Sequence, residues 1–171
     1  MCTLNQPGPT SNLPLRSGKG WLYEGGIRVP LILRIPRLAP ANQSSDIPVT
    51  SMDFAPTILE LAGITAPPKV EFDGTSLLPA VRDSAILIER KLYWHYPHYH
   101  GSTWRPGAAI RDGRWKLIEF YEWDQTELYD LQADPEERND VSLSNPEAAD
   151  RLSKELASWQ KTMNATMPVS R

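Results

Sequence analysis

Lys19 stands between Gly18 and Gly20 in the stretch LRSGKGWLYEGGIRVP (residues 15–30), the densest polar cluster of the chain. Flanking glycines let the backbone approach a ligand closely and thrust the lysine outward. An ammonium held this way is a compact cation suited to an oxyanion such as sulfate or phosphate. The stretch is not a P-loop, because GKG lacks the earlier glycine at the required spacing and the following Ser or Thr. A plain solvent-exposed lysine fits the same residues, and residue type alone favours it.

A second cluster is YWHYPHYHGSTWRPG (residues 93–107), with His95, His98, His100 and Arg105 among aromatic rings. The histidine spacing could suggest a metal site, but no carboxylate lies close by in sequence, and Pro97 and Gly101 indicate a loop. A substrate rim is the better functional reading. Aromatic faces stack on sugar rings, while His98, His100 and Arg105 can donate to hydroxyl or sulfate groups. A loop that packs its rings inward accounts for the residues equally well.

The rest of the chain bounds what these clusters can serve. Its 171 residues suffice for one domain or a domain plus an appendage. A net charge of −3 gives no basis for general nucleic-acid binding, which calls for a basic face. No run approaches the ~20 apolar residues of a membrane span. A single cysteine, Cys2, excludes an internal disulfide framework and a thiolate-rich metal site. Met1 to Pro9 has neither the basic start nor the apolar run of a signal peptide. Eleven of the 16 prolines fall within the first 79 residues, so the front half reads as short elements joined by fixed turns.

The elements that must position the clusters follow from pattern. Ile27 to Ile35 (IRVPLILRI) is continuously apolar and predicts a buried strand, starting near Leu31 because of Pro30. Thr50 with Asp53 predicts a capped helix whose Phe54, Ile58 and Leu61 share a face and whose stop is Gly63. Phe72 to Thr75 reads as a tight turn. Lys91–His95, the hairpin around Asp112-Gly113 within Ala108–Tyr121, and Glu127–Leu131 read as strands. Asn145-Pro146 opens a helix with Ala149, Leu152, Leu156, Trp159 and Met163 on one stripe. Trp115, Leu117, Phe120 and Tyr129 are expected in the core, and Asp134-Pro135-Glu136-Glu137 in a solvated turn. Four antiparallel strands and a closing helix make a small α+β subdomain, with a boundary near residue 90.

Several long motifs, in order, resemble the type I sulfatase (arylsulfatase) family. They are LRSGKGWLYEGGIRVPLILRIP, SSDIPVTSMDFAPTILELAGI, FDGTSLLP, and RDGRWKLIEFY with ELYDLQADPEERNDV. The resemblance implies an α/β fold: the C-terminal part of an alkaline-phosphatase-like α/β/α sandwich, then a small subdomain with an antiparallel sheet. Residues 1–90 would end the catalytic domain, incompletely, and 91–171 would be the small subdomain. It implies a sulfate contact for Lys19, a loop-shaping role for Glu24, Gly25, Gly26 and Arg28 (Arg28 could instead hold a carboxylate internally), and substrate contacts for His98, His100 and Arg105. The implied substrate is a sulfated small molecule or glycan, and complete relatives are commonly exported or lysosomal.

The family also implies a formylglycine made from a C/S-x-P-x-R motif, and a calcium held by an Asp-Asp pair and an Asp-Asn pair. Cys2 is followed by Thr-Leu-Asn-Gln, no serine supplies the motif, and no Asp precedes Lys19. The chain therefore reads as a fragment that ligates neither group and is inactive alone. Two further readings are a non-catalytic sulfated-glycan binding module and one half of a split sulfatase whose N-terminal half is separately encoded. Residues 1–90 are not expected to fold well alone, because the sheet that strand 31–35 should join lies mostly outside this sequence.

Overall fold

The computed structural model describes residues 11–83, 86 and 88–169. Cys2 and Asn5 lie outside the described residues. From Lys91 the chain builds an antiparallel meander of β1 (Lys91–Tyr96), β2 (Gly107–Asp112), β3 (Trp115–Phe120) and β4 (Gln125–Asp130), adjacent in chain order. Asp112 pairs with Trp115, so Gly113 and Arg114 form a two-residue turn, and Gly113 takes the positive φ of 58° that it demands.

Strand alternation sends two sets of side chains to opposite faces. Ala108, Ile110, Leu117 and Leu128 face the helix α4 (Pro146–Thr162), which buries Leu152 and Leu156 completely against them. Burying two such leucines contributes roughly 1.5–3 kcal/mol each. Asn145 precedes Pro146 as expected, but its side chain bonds back to the Val141 carbonyl at 3.2 Å instead of capping the helix. Met163 lies beyond the last turn and is exposed. The opposite face carries Ala109, Ile118, Phe120 and Tyr129, covered by Leu22, Tyr23 and Trp104. Residues up to Pro30, including the short helix α1 (Glu24–Ile27), thus group with those from Arg90 onward as one unit.

Leu31–Glu89 form the second unit. It contains a 3-10 turn (Ser51–Asp53) running into α2 (Phe54–Leu61), and α3 (Leu78–Arg82). The Thr50–Asp53 capping box is present, and Gly63 follows α2 with a φ of +66°. Asp53 is fully buried, accepting from the Thr50 N–H at 2.7 Å and the Thr75 N–H at 2.9 Å.

One sequence expectation is corrected here. Residues 31–35 join no sheet among the described residues, and Ile32 is 93% exposed. Strand propensity is realised only when the backbone N–H and C=O groups find a partner strand, and the described residues offer none. Phe54, Ile58 and Leu61 share one face of α2 as expected, and that face points outward; α2 instead buries Thr57, whose hydroxyl accepts from the Leu77 N–H at 2.9 Å.

Candidate functional site

Residues 16–26 curl into a hoop. The Gly25 N–H reaches the Arg16 carbonyl at 2.9 Å, the Trp21 N–H the Gly18 carbonyl at 3.1 Å, and Asn12 Nδ2 the Gly25 carbonyl at 2.6 Å. Gly26 packs so tightly on the Trp21 and Gly18 carbonyls that a Cβ there would collide with both. Lys19 sits in the hoop and is exposed to solvent.

His100 is brought to this hoop. Its ring lies over Gly20, at whose φ of +92° a side chain would be strained and would strike the imidazole. His100 Nδ1 is 2.8 Å from Ser102 Oγ, and that hydroxyl donates to the Gly20 carbonyl at 3.2 Å. Nε2 takes no hydrogen bond among the described residues. Trp21 Nε1 donates to the Ser102 carbonyl at 3.0 Å, fixing hoop and histidine loop together.

The other candidates go elsewhere. His98 is exposed and meets the edge of Tyr96, with ring centroids 6.2 Å apart. It borders an open groove of about 1420 Å³ that also receives Tyr99, Glu119, Glu122 and Asp124. Arg105 stacks on Trp123 at 4.0 Å and pairs with Glu122, a groove residue, at 3.6 Å. His95 is on β1, not in a loop, and faces the α4 side of the sheet. Its Nδ1 is 2.7 Å from Tyr121 Oη and its Nε2 is 3.0 Å from the Thr166 carbonyl. The three histidines therefore form no common metal site.

Beneath the hoop lies a charged floor that sequence reasoning missed. Lys116, at 0% exposure, projects from the same face of β3 as Ile118 and Phe120. Its Nζ lies 2.9 Å from Glu24 Oε1 and 2.8 Å from Glu137 Oε1. Glu137 Oε2 accepts the Glu24 N–H at 2.6 Å. Arg28 and Arg111 each stand 3.8 Å from Glu24 Oε2, so Arg28 does hold a carboxylate internally. The expectation of a solvated turn at 134–137 is thus corrected at Glu137, which is fully buried. Burial pushes its carboxyl above the usual carboxylate range, and the neighbouring Lys116 ammonium pulls it back. Alongside, Arg16 stacks on Tyr23 at 3.9 Å and donates to Tyr129 Oη at 2.7 Å and the Glu137 carbonyl at 2.8 Å. Tyr23 and Tyr129 both donate to Glu127 Oε2 at 2.7 Å. The signal available in the sequence was Lys116 itself, a charge in the inward phase of an alternating strand.

A calcium site does not fit these residues. Among the described residues no three His, Cys, Asp or Glu side chains converge to hold a metal. The nearest carboxylate to Lys19 along the hoop, Glu24, is turned inward onto Lys116.

Residues 17–164 match the model of the N-sulphoglucosamine sulphohydrolase C-terminal family. The chain belongs to the sulfatase family. It is 36% identical over 173 residues to a sulfatase of Formosa agariphila, covering 92% of this chain and 31% of that protein. Among solved structures, Ps i-CgsB superposes with a TM-score of 0.76 at 30% identity, over 87% of this chain and 32% of that one. BT4656, solved in complex with its substrate D-glucosamine-2-N,6-O-disulfate, matches with a TM-score of 0.51 at 32% identity, over 64% of this chain and 23% of that one. The chain spans about a third or less of each relative. The sulfatase fold class expected from the motifs is borne out, as are the four-stranded antiparallel sheet and its closing helix. No described helix is long and apolar enough to cross a membrane.

Proposed function

We propose that this chain is the C-terminal part of a sulfuric ester hydrolase, supplying the cation that meets the sulfate group. Residues 1–90 end the catalytic domain, the part of it up to Pro30 packing with the small subdomain that 91–171 form. The observation that carries this reading is the exposed Lys19 in a hoop anchored to a buried sheet, with the His100 ring over the neighbouring Gly20 and its Nε2 taking no hydrogen bond among the described residues. An ammonium fixed by its loop needs little reorganisation to offset charge developing on a transferring sulfate and its leaving oxygen. His100 donates to the same group or to a neighbouring hydroxyl, while His98 and Arg105 contact more distant parts of a sulfated sugar. The formylglycine nucleophile and the calcium of complete sulfatases belong to residues that this sequence does not contain, and the chain alone is inactive.

The exposed run from Val29 to Leu33 favours a second feature of the reading: these residues complete a sheet supplied by the rest of the fold, on the same or a separately encoded polypeptide. The purified 171-residue chain, assayed with an aryl sulfate in calcium, is expected to show no turnover. Turnover that persists after contaminants are excluded would contradict the assignment of the nucleophile elsewhere. Co-expression with a polypeptide carrying the C/S-x-P-x-R motif is expected to restore activity, and that activity should be lost on Lys19→Ala. Restored activity indifferent to Lys19→Ala would remove the lysine from the chemistry.

A further inference from the structure

We propose that Glu137 is the positioning residue of the hoop that carries Lys19, a proposal that rests on the sulfate-contact reading of Lys19. The hoop has two ends, and Glu137 takes both. At the first end, the Arg16 guanidinium donates to the Glu137 backbone carbonyl at 2.8 Å. At the second, the Glu24 N–H donates to Glu137 Oε2 at 2.6 Å. Within the hoop, the Gly25 N–H to Arg16 carbonyl bond closes one end onto the other. One residue of the turn after β4 thereby sets the separation of the two ends, and with it where Lys19 stands.

The arrangement around Glu137 shows why a charged residue occupies this buried place. A lone buried carboxylate is costly, and Lys116, itself fully buried, lies within ion-pair distance of both Glu137 and Glu24. Among the described residues, Glu24 and Glu137 face Lys116, Arg28 and Arg111 stand 3.8 Å from Glu24, and alongside Arg16 donates to the Glu137 carbonyl while Glu127 accepts from Tyr23 and Tyr129. Lys116 is rooted in β3, between residues paired to β2 and to β4, so the floor inherits the rigidity of the sheet. The geometry therefore separates two contributions. The carboxylate oxygen that accepts the Glu24 N–H fixes the hoop, while the charge of Glu137 matches Lys116.

Two substitutions distinguish them on the 171-residue chain. Glu137→Gln keeps an acceptor at the same reach and loses the charge, whereas Glu137→Asp keeps the charge and withdraws it by one methylene. Amide hydrogen exchange at Glu24, Gly25 and Gly26 reads the hoop, and amides of Leu117, Ile118 and Leu128 read the sheet. The expected result is a loss of protection of roughly tenfold at Glu24–Gly26 in Glu137→Asp, with the sheet amides unchanged. Glu137→Gln should retain most of the hoop protection. Equal hoop protection in wild type and Glu137→Asp would overturn the proposal, as would loosening of hoop and sheet by the same factor in both variants. Titration with inorganic sulfate separates this proposal from the one beneath it. If Glu137→Asp loosens the hoop while Lys19→Ala leaves sulfate affinity unchanged, the positioning stands and the sulfate contact of Lys19 falls. If Lys19→Ala abolishes sulfate binding and Glu137→Asp leaves both hoop and affinity intact, the reverse holds.

Discussion

Ile118 and Ile58 are the same side chain in two units of the chain, and they meet opposite surroundings. Ile118 is fully buried on β3, packed with Leu22, Tyr23 and Trp104. Ile58, on α2, is 61% exposed, with Phe54 and Leu61 exposed beside it. The first unit closes a two-faced core around its sheet, with α4 on one face and the hoop segment on the other. The second is organised by polar anchors, Asp53 and Thr57, and leaves an apolar helix face and the run from Leu31 to Leu33 uncovered. The contrast locates the stability of this sequence: the sheet that holds the candidate site is covered on both faces, whereas Leu31–Glu89 leaves large apolar side chains exposed.

The largest test of that contrast is Lys116→Ala, which leaves the Glu24 and Glu137 carboxylates buried without their ammonium. A cost of about 3–5 kcal/mol is expected, read from urea unfolding followed by tryptophan fluorescence. A cost below about 1 kcal/mol would mean that the floor is open to water and that the two units differ less than described. Next comes a matched pair. Leu156→Ala, in the α4 core, is expected to cost about 2–5 kcal/mol, while Ile58→Ala should stay within about 0.5 kcal/mol. Similar costs at both sites would erase the comparison.

A smaller effect is expected from Asp53→Ala. It removes the cap of α2 and the acceptor of the Thr75 N–H, at a cost of about 1–3 kcal/mol confined to the second unit. Limited proteolysis would show it as faster cutting within residues 31–89 and unchanged survival of the sheet. The smallest effect concerns pH. Burial raises the Glu119 carboxyl above its ordinary value of 4.5, although the Ser153 hydroxyl donating at 2.6 Å pulls it down. A carboxyl raised in the fold favours the native state below its unfolded value, and that contribution is lost as pH rises through the folded one. Wild type should therefore lose this increment as pH rises from about 4 to neutrality, and Glu119→Gln should not. Parallel profiles for the two proteins would contradict the shift.

The elements that were legible in the sequence are those specified by neighbours. Asp112-Gly113 names its own turn, Thr50 and Asp53 their own cap, and Asn145-Pro146 the start of α4. The long ordered motifs made the sulfatase family legible too. What could not be read depends on partners far along the chain. Val29 to Leu33 has the composition of a strand, but a strand exists only against another. Glu137 looks like part of a solvated turn until Lys116 and Glu24, 21 and 113 positions away, are brought to it. The proximity of His100 to the Lys19 hoop has the same origin, since Gly20 and Ser102 meet only in the folded unit.

The role proposed for the first unit is to present Lys19, with His100, to a sulfate group. Titrating D-glucosamine 6-sulfate into the isotope-labelled 171-residue chain tests it most directly. Amide shifts should move at residues 18–21 and at His100, saturate, and vanish in Lys19→Ala while the rest of the spectrum stays unchanged. Shifts that leave residues 18–21 still, or that persist in Lys19→Ala, would contradict it.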